Sequence, residues 1–290
     1  MSFLQAQLPV LPIVTPFIAA ALTLLLPSRR RSWAFATFVT LVTFGLCILL
    51  VQAVAAEGVI SYHLGDWPPP IGIEYRIDLA NALVLALVSG IAAVVFPFAY
   101  ESVRSEIDER QSAYFYCAAL ICLTGLMGVT ITGDAFNVFV FLEISSLSTY
   151  ALIAMGARRD RRALTAAFNY LVMGTIGATF FVIGLGLLYH ATGTLNMADI
   201  HAKLAGLDSR VVKAGFAFIL VGVGLKLAMF PMHLWLPNAY SYAPSAVSAF
   251  IAATATKVAV YVLVRFFFSV FGLDYAFEAA ALTWILLPLG

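Results

Sequence analysis

Glu143, Lys226, His233 and Lys257 stand in stretches of this 290-residue chain where charge is expensive. The glutamate and both lysines interrupt apolar runs of membrane length. An ion in hydrocarbon costs at least a few kcal/mol unless it is paired or wetted, so an ionisable residue there is by default a functional-site candidate. The chemistry open to such a set is proton transfer. Burial disfavours the charged form of a lysine and a nearby carboxylate favours it, so a lysine balanced between the two can load and release a proton near neutral pH. An imidazole titrates in the same range and can pass a proton between its two nitrogens.

Each residue also has a plainer reading. Glu143 lies in GDAFNVFVFLEISSLSTYALIAMG (133–156), where every residue of 136–142 except Asn137 is apolar. At about 1.5 Å per residue it is on the order of 10 Å inside its helix. Ser145, Ser146 or a neighbouring helix could satisfy it structurally. Asp134, at the head of the same segment, reads as a helix-start residue favoured by the helix dipole. Lys226 follows Gly222 and Gly224 and precedes Pro231 and Pro237. Proline cannot donate a backbone hydrogen bond, so the helix should break here; the freed carbonyls predict a hydrated cavity. Snorkelling to an interface is the alternative for this lysine. Lys257 lies about 20 Å past Pro244 on the same rise, flanked by Thr254 and Thr256. Pairing to a neighbouring helix for packing alone is its plainer role. His233 falls inside the break, in PMHLWLP, as a relay member or an ordinary hydrogen-bonding residue. His63, His190 and His201 are expected in loops, with no metal-ligand spacing.

The elements that must position these residues follow from composition. Hydrophobic residues make up 62% and charged residues 11% of the chain, with mean hydropathy +0.98. Such values belong to a polytopic all-α membrane protein. The net charge of +1 carries no field for nucleic acid. Cys47, Cys117 and Cys122 all lie inside apolar runs, which argues for packing rather than a disulfide framework or a zinc site. Spans of about 20 residues are expected near 8–26, 33–55, 79–100, 114–131, 136–155, 166–189, 212–230 and 245–268. A ninth begins near 276 and is still running at Gly290, so the chain reads as a fragment that stops within a helix. With no basic residue before the first span and Arg29, Arg30 and Arg31 after it, that span reads as a retained helix rather than a cleaved signal. The bias of Arg29–Arg31, Arg104, Arg110, Arg158, Arg159, Arg161 and Arg162 against Arg76, Lys203, Arg210, Lys213 and Arg265 puts the first group in the cytoplasm and the N-terminus outside. The run GARRDRRAL (156–164) is then a topology determinant. The loop 57–77, with Trp67, Pro68, Pro69 and Pro70, is an irregular external cap. The sequence holds no nucleotide, quinone or haem pattern and no nucleophile constellation.

LKLAMFPMHLWLPNAYSYAPSAVSAFIAA, followed by Lys257 and VLVRF, resembles the proton-translocating antiporter-like membrane subunits. These are the large membrane-arm subunits of NADH:quinone oxidoreductase, related membrane hydrogenases and Mrp-type cation/proton antiporters. GDAFNVFVFLEISSLSTYALI resembles the glutamate-bearing fifth helix of that family. The resemblance covers nearly the whole chain and implies an antiporter-like fold with a proline-broken seventh helix. It divides the chain into helices 1–3 (1–110), a first five-helix proton-channel repeat (111–270) and the start of helix 9 (271–290), with truncation after the first inverted repeat. It implies that Glu143 modulates Lys226, the lysine of the broken helix, that His233 follows it, and that Lys257 is the eighth-helix relay lysine. Asn238 and Tyr240 depart from the aspartate and histidine often found there. A lysine in the eighth helix, rather than a histidine earlier in it, looks more like the D-type component of Mrp antiporters than the larger A-type, and it also fits the oxidoreductase subunits that keep lysine there. The implied function is proton translocation within a multisubunit monovalent cation/proton antiporter of the bacterial inner membrane, with other membrane subunits, protons, a monovalent cation and the bilayer as partners. No cofactor, metal or covalent chemistry of its own is implied. The alternative is a membrane-arm proton-pumping subunit of an oxidoreductase or membrane hydrogenase. A scaffold whose lysines only join helices is a third reading, costly for two mid-membrane ammonium groups.

Overall fold

The computed structural model describes residues 6–26, 28–207, 209–272 and 275. The expected ninth span lies outside the described residues. Ten helices are described: α1 (Leu11–Thr23), α2 (Arg29–Glu57), α3 (Leu79–Glu106), α4 (Ser112–Ile131), α5 (Ala135–Ala154), α6 (Arg162–Thr192), α7 (Met197–Leu204), α8 (Arg210–Leu227), α9 (Leu236–Tyr242) and α10 (Ser245–Arg265). Six stretches built on α2, α3, α4, α5, α6 and α10 are long and apolar enough to cross a membrane.

Two expected spans come out shorter. The first is a helix of 13 residues, about 20 Å long, against a hydrocarbon core of about 30 Å. The seventh stops at Leu227 rather than running to Phe230, because Ala228 turns into the left-handed region at φ 60°. It also carries three cations, Arg210, Lys213 and Lys226. The loop 57–77 is more ordered than its turn-rich composition suggests. Ile60–His63 (β1) and Glu74–Ile77 (β2) pair antiparallel, Ile60 opposite Ile77 and His63 opposite Glu74. The apolar–polar alternation of ISYH and EYRI suits a half-buried ribbon. Among the described residues the regular structure is otherwise helical.

The hairpin marks one end of the bundle. The Gly133 amide donates to the Glu74 carbonyl at 2.8 Å, and the Glu74 carboxylate accepts from Ser61 Oγ at 2.6 Å and Asn196 Nδ2 at 2.8 Å. That fixes the start of α5. The opposite end carries the arginine cluster. There α10 has no side-chain cap of its own, since Pro244 precedes it. Its orphan N–H groups are satisfied from α3 instead. Ser245 N donates to both Glu106 oxygens at 3.1 and 3.2 Å, and Ala246 N to Ser102 Oγ at 3.0 Å. Arg159, just past α5, pairs with the same carboxylate at 3.3 Å. At the hairpin end Arg265 pairs with Asp78 at 2.6 Å, and Tyr261 Oη donates to the Thr130 carbonyl at 3.0 Å. The Lys257 helix is therefore tied at both ends.

Helices α6 and α8 approach closely because glycine faces glycine. A Cβ on Gly222 would lie 2.6 Å from Phe181 N and 2.7 Å from the Gly177 carbonyl. The contact lies one turn from Lys226 and sets how near that lysine comes to α5 and α6.

Candidate functional site

The Lys226 ammonium, in the last turn of α8, reaches across to α5. Nζ donates to Glu143 Oε1 at 3.1 Å and to Ser146 Oγ at 2.6 Å. The lysine side chain is 6% exposed and the glutamate side chain 24%. Glu143, Ser146 and Tyr150 stand at i, i+3 and i+7, which one helix face presents together. The ion pair brings two of the four sequence candidates into contact.

Protein groups cap part of the helix break beside Lys226. Met229 N donates to the Gly224 carbonyl at 2.9 Å; the Leu225 carbonyl accepts from Ala228 N at 3.2 Å and from Trp235 Nε1 at 3.0 Å. An indole and two amides thus cap the Gly224 and Leu225 carbonyls. A cavity of about 10 Å³ adjoins Lys226, lined by Phe139, Leu142, Phe181, Gly222 and Val262 among others, near the lower limit for one water. Trp235 is held in turn by stacking on Tyr170, with centroids 3.9 Å apart and planes at 3°. Tyr150 meets Tyr170 edge-on at 4.7 Å.

The other two candidates stand apart from the pair. His233 lies in the turns between α8 and α9, its ring against Phe230 at 5.6 Å. Its Nδ1 is buried without a hydrogen-bond partner among the described residues. Lys257 sits mid-way along α10, but its side chain is exposed on the flank of the bundle. Its depth in the sequence predicts burial instead. An almost uniformly apolar helix gives no periodicity from which to read the outward face. Nζ donates to the Ala252 carbonyl at 2.6 Å and to Thr256 Oγ1 at 3.3 Å, so the ammonium is partly satisfied by its own helix. Among the described residues, no hydrogen bond or ion pair joins His233 or Lys257 to Glu143–Lys226.

Sequence reasoning alone misses Trp235, Tyr150, Tyr170 and Glu106, and gives Ser146 only a structural role. Spacing could have found Ser146 and Tyr150, since both share the face of Glu143. Glu106 gives no local signal, because its partner Ser245 is more than a hundred residues away.

Residues 132–287, just over half of the chain, match the family described as NADH:quinone oxidoreductase/Mrp antiporter, TM. The chain belongs to this family. It is 45% identical to NADH-quinone oxidoreductase subunit N of Desulforudis audaxviator, over 92% of this chain and 53% of that protein. It is 32% identical to the D component of the Na(+)/H(+) antiporter of Bacillus subtilis, over 95% of this chain and 55% of the relative. In structure it is similar to a chain of the membrane-bound sulfane sulfur reductase, an archaeal respiratory membrane complex. The TM-score is 0.84 and identity 30%, covering 98% of this chain and 56% of that one. The chain spans about half the length of the curated relatives it matches. Family membership and the membrane-length helices make it an integral membrane protein of the antiporter-like fold.

Proposed function

We propose that the chain is a proton-translocating part of a multisubunit monovalent cation/proton antiporter, with Glu143, Lys226, His233 and Lys257 as its relay. The observation that carries this reading is the Glu143–Lys226 pair, 3.1 Å long with the lysine almost fully buried at a helix break. A buried pair of this kind is weak evidence of stabilisation, since apolar residues of similar volume are often as stable. A charge-transfer role accounts for its presence better than packing does.

The pair holds the proton on Lys226 while the carboxylate is near. At about 4 Å and an effective dielectric of about 20, one such contact is worth roughly 4 kcal/mol. Movement of Glu143 away releases a large part of that, and the proton passes toward Lys257. His233, with an unpaired buried nitrogen in the break, is placed to exchange protons at its mouth. No covalent step is needed. In this reading residues 111–270 form one proton-channel repeat, and 1–110 and 271–290 flank it. The clustered arginines at the end opposite the hairpin support a cytoplasmic assignment for that end and an external N-terminus; the membrane in this reading is a bacterial inner membrane. Other membrane subunits, the bilayer, protons and a monovalent cation are the partners.

A second reading, a proton-pumping component of a membrane arm powered by redox chemistry elsewhere, is favoured by the 45% identical relative named as an oxidoreductase subunit. Everted vesicles carrying the native complex distinguish the two. Proton efflux on adding sodium or potassium salts to a respiration-energised vesicle supports the antiporter. Proton movement that requires an electron donor and ignores the cation supports the redox-driven complex.

A further inference from the structure

A crevice of about 780 Å³ lies at the hairpin end of the bundle, between the start of α1, the second half of α2 and β1. Its volume is within the roughly 300–1,000 Å³ of ligand sites. Leu8, Leu11, Leu46, Leu49 and Ile60 give it apolar walls. Leu49 is 52% exposed, so the crevice opens on the flank of the bundle. The shortness of α1 produces it. With 13 residues against 29 in α2, α1 leaves part of its neighbour uncovered. Before Leu11 the chain turns aside to β1, where Tyr62 Oη donates to Gln7 Oε1 at 2.6 Å. From Leu46 to Glu57 the crevice follows α2 for about 16 Å, half of a hydrocarbon core of about 30 Å. That is the depth of one leaflet.

The polar lining, Gln52, Glu57, Ser61 and Tyr62, gathers toward the hairpin. Glu57 is the last residue of α2. Its carboxylate therefore stands at the negative end of the helix dipole, where a cation is favoured. Among the described residues no ion pair or hydrogen bond reaches that side chain. Ser61 Oγ gives its proton to Glu74 at 2.6 Å, which leaves its lone pairs free to accept. The Gln52 amide oxygen adds a further acceptor. A negative, acceptor-rich rim thus tops apolar walls of leaflet depth.

We propose that this crevice binds one phospholipid with an ethanolamine headgroup. An acyl chain lies along Leu46 and Leu49, and the ammonium donates to Glu57, Ser61 and Gln52. A glycerol headgroup carries no cation, so it leaves Glu57 uncompensated at the helix end and brings an anionic phosphate toward it. The lining residues include neither Glu143 nor Lys226, and the site stands whether or not that pair moves protons.

Native mass spectrometry of the assembled complex tests the site. The detergent-purified complex is supplied with equal phosphatidylethanolamine and phosphatidylglycerol of the same acyl chains. Ala53→Trp fills the crevice with an indole, so the lipid lost between wild type and this variant reports the crevice alone. The lost lipid should favour ethanolamine over glycerol by about threefold, the scale of one exposed ion pair. In a Glu57→Gln background the same difference should show a ratio near one. Glu57 is exposed, so that variant keeps its fold. An equal loss of both lipids overturns the headgroup assignment, as does an unchanged preference in Glu57→Gln. Ala53→Trp at the wild-type lipid count overturns the crevice as a lipid site. A cross-link from Leu49→Cys to another membrane subunit, with no lipid lost in Ala53→Trp, assigns the crevice to a protein contact and overturns it too. Should Ala53→Trp not assemble, Leu49→Trp takes its place.

Discussion

A double-mutant cycle on Glu143 and Lys226 gives the pair an energy. At 3.1 Å and an effective dielectric of about 20, the Coulomb attraction is about 5 kcal/mol. Two features of the site reduce what a cycle reads. The Glu143 side chain is partly exposed, and Ser146 continues to accept from the ammonium after Glu143 is changed. Removing one partner of a buried pair costs about 3–5 kcal/mol because the other charge is left uncompensated. The lower end applies here. Glu143→Gln alone should therefore destabilise the chain by about 3 kcal/mol. The double variant Glu143→Gln, Lys226→Met should recover most of that loss, as buried pairs replaced by apolar groups often do. Unfolding free energies from denaturant titration in mixed micelles, on all four proteins, give the coupling directly. A coupling below about 1 kcal/mol, the range of exposed pairs, would refute the claim that this ion pair is buried.

Three further outcomes follow from packing. Gly222→Val places a Cβ against the Phe181 amide and the Gly177 carbonyl; it should cost about 1–3 kcal/mol by overpacking and reduce flux by displacing Lys226, read by thermal unfolding and vesicle flux together. Trp235→Phe keeps the stack on Tyr170 but removes the indole donor to the Leu225 carbonyl. A loss of about 1 kcal/mol is expected, against about 3–5 kcal/mol for Trp235→Ala, and equal losses in the melting curves would contradict the assigned geometry. Glu106→Ala leaves the Ser245 amide without its acceptor and should cost about 1–3 kcal/mol. Hydrogen exchange at the first turn of α10 should rise in that variant and not in Arg159→Ala, where the carboxylate keeps the amide.

Much of the site was legible because charge in an apolar run is conspicuous. Glu143 and Lys226 are single ionisable residues among apolar neighbours; their pairing is what the family resemblance implies, and the 3.1 Å contact joins them. The family resemblance carried the antiporter-like fold. Ser146, Tyr150 and Tyr170 were harder to see, since hydroxyl and aromatic side chains are common in such helices and carry no burial cost that marks them. The hairpin was hidden behind Trp67–Pro70, whose turn signals outweighed two strands of four residues each. The end of α8 falls three residues before the expected one because Ala228, not Pro231, makes the left-handed turn. Lys257 shows the converse limit. Its depth along α10 could be counted, but its outward direction depends on how α10 packs against α3, α4 and α8, which no local pattern records.

The central claim is that the Glu143–Lys226 pair moves protons. Proton flux in everted vesicles holding the complete complex, with assembly checked in the same membranes, tests it most directly in Lys226→Ala and Glu143→Ala. The account predicts that Lys226→Ala abolishes flux and that Glu143→Ala reduces it severely while both proteins assemble. Wild-type flux in both variants would contradict it and return these charges to holding helices together.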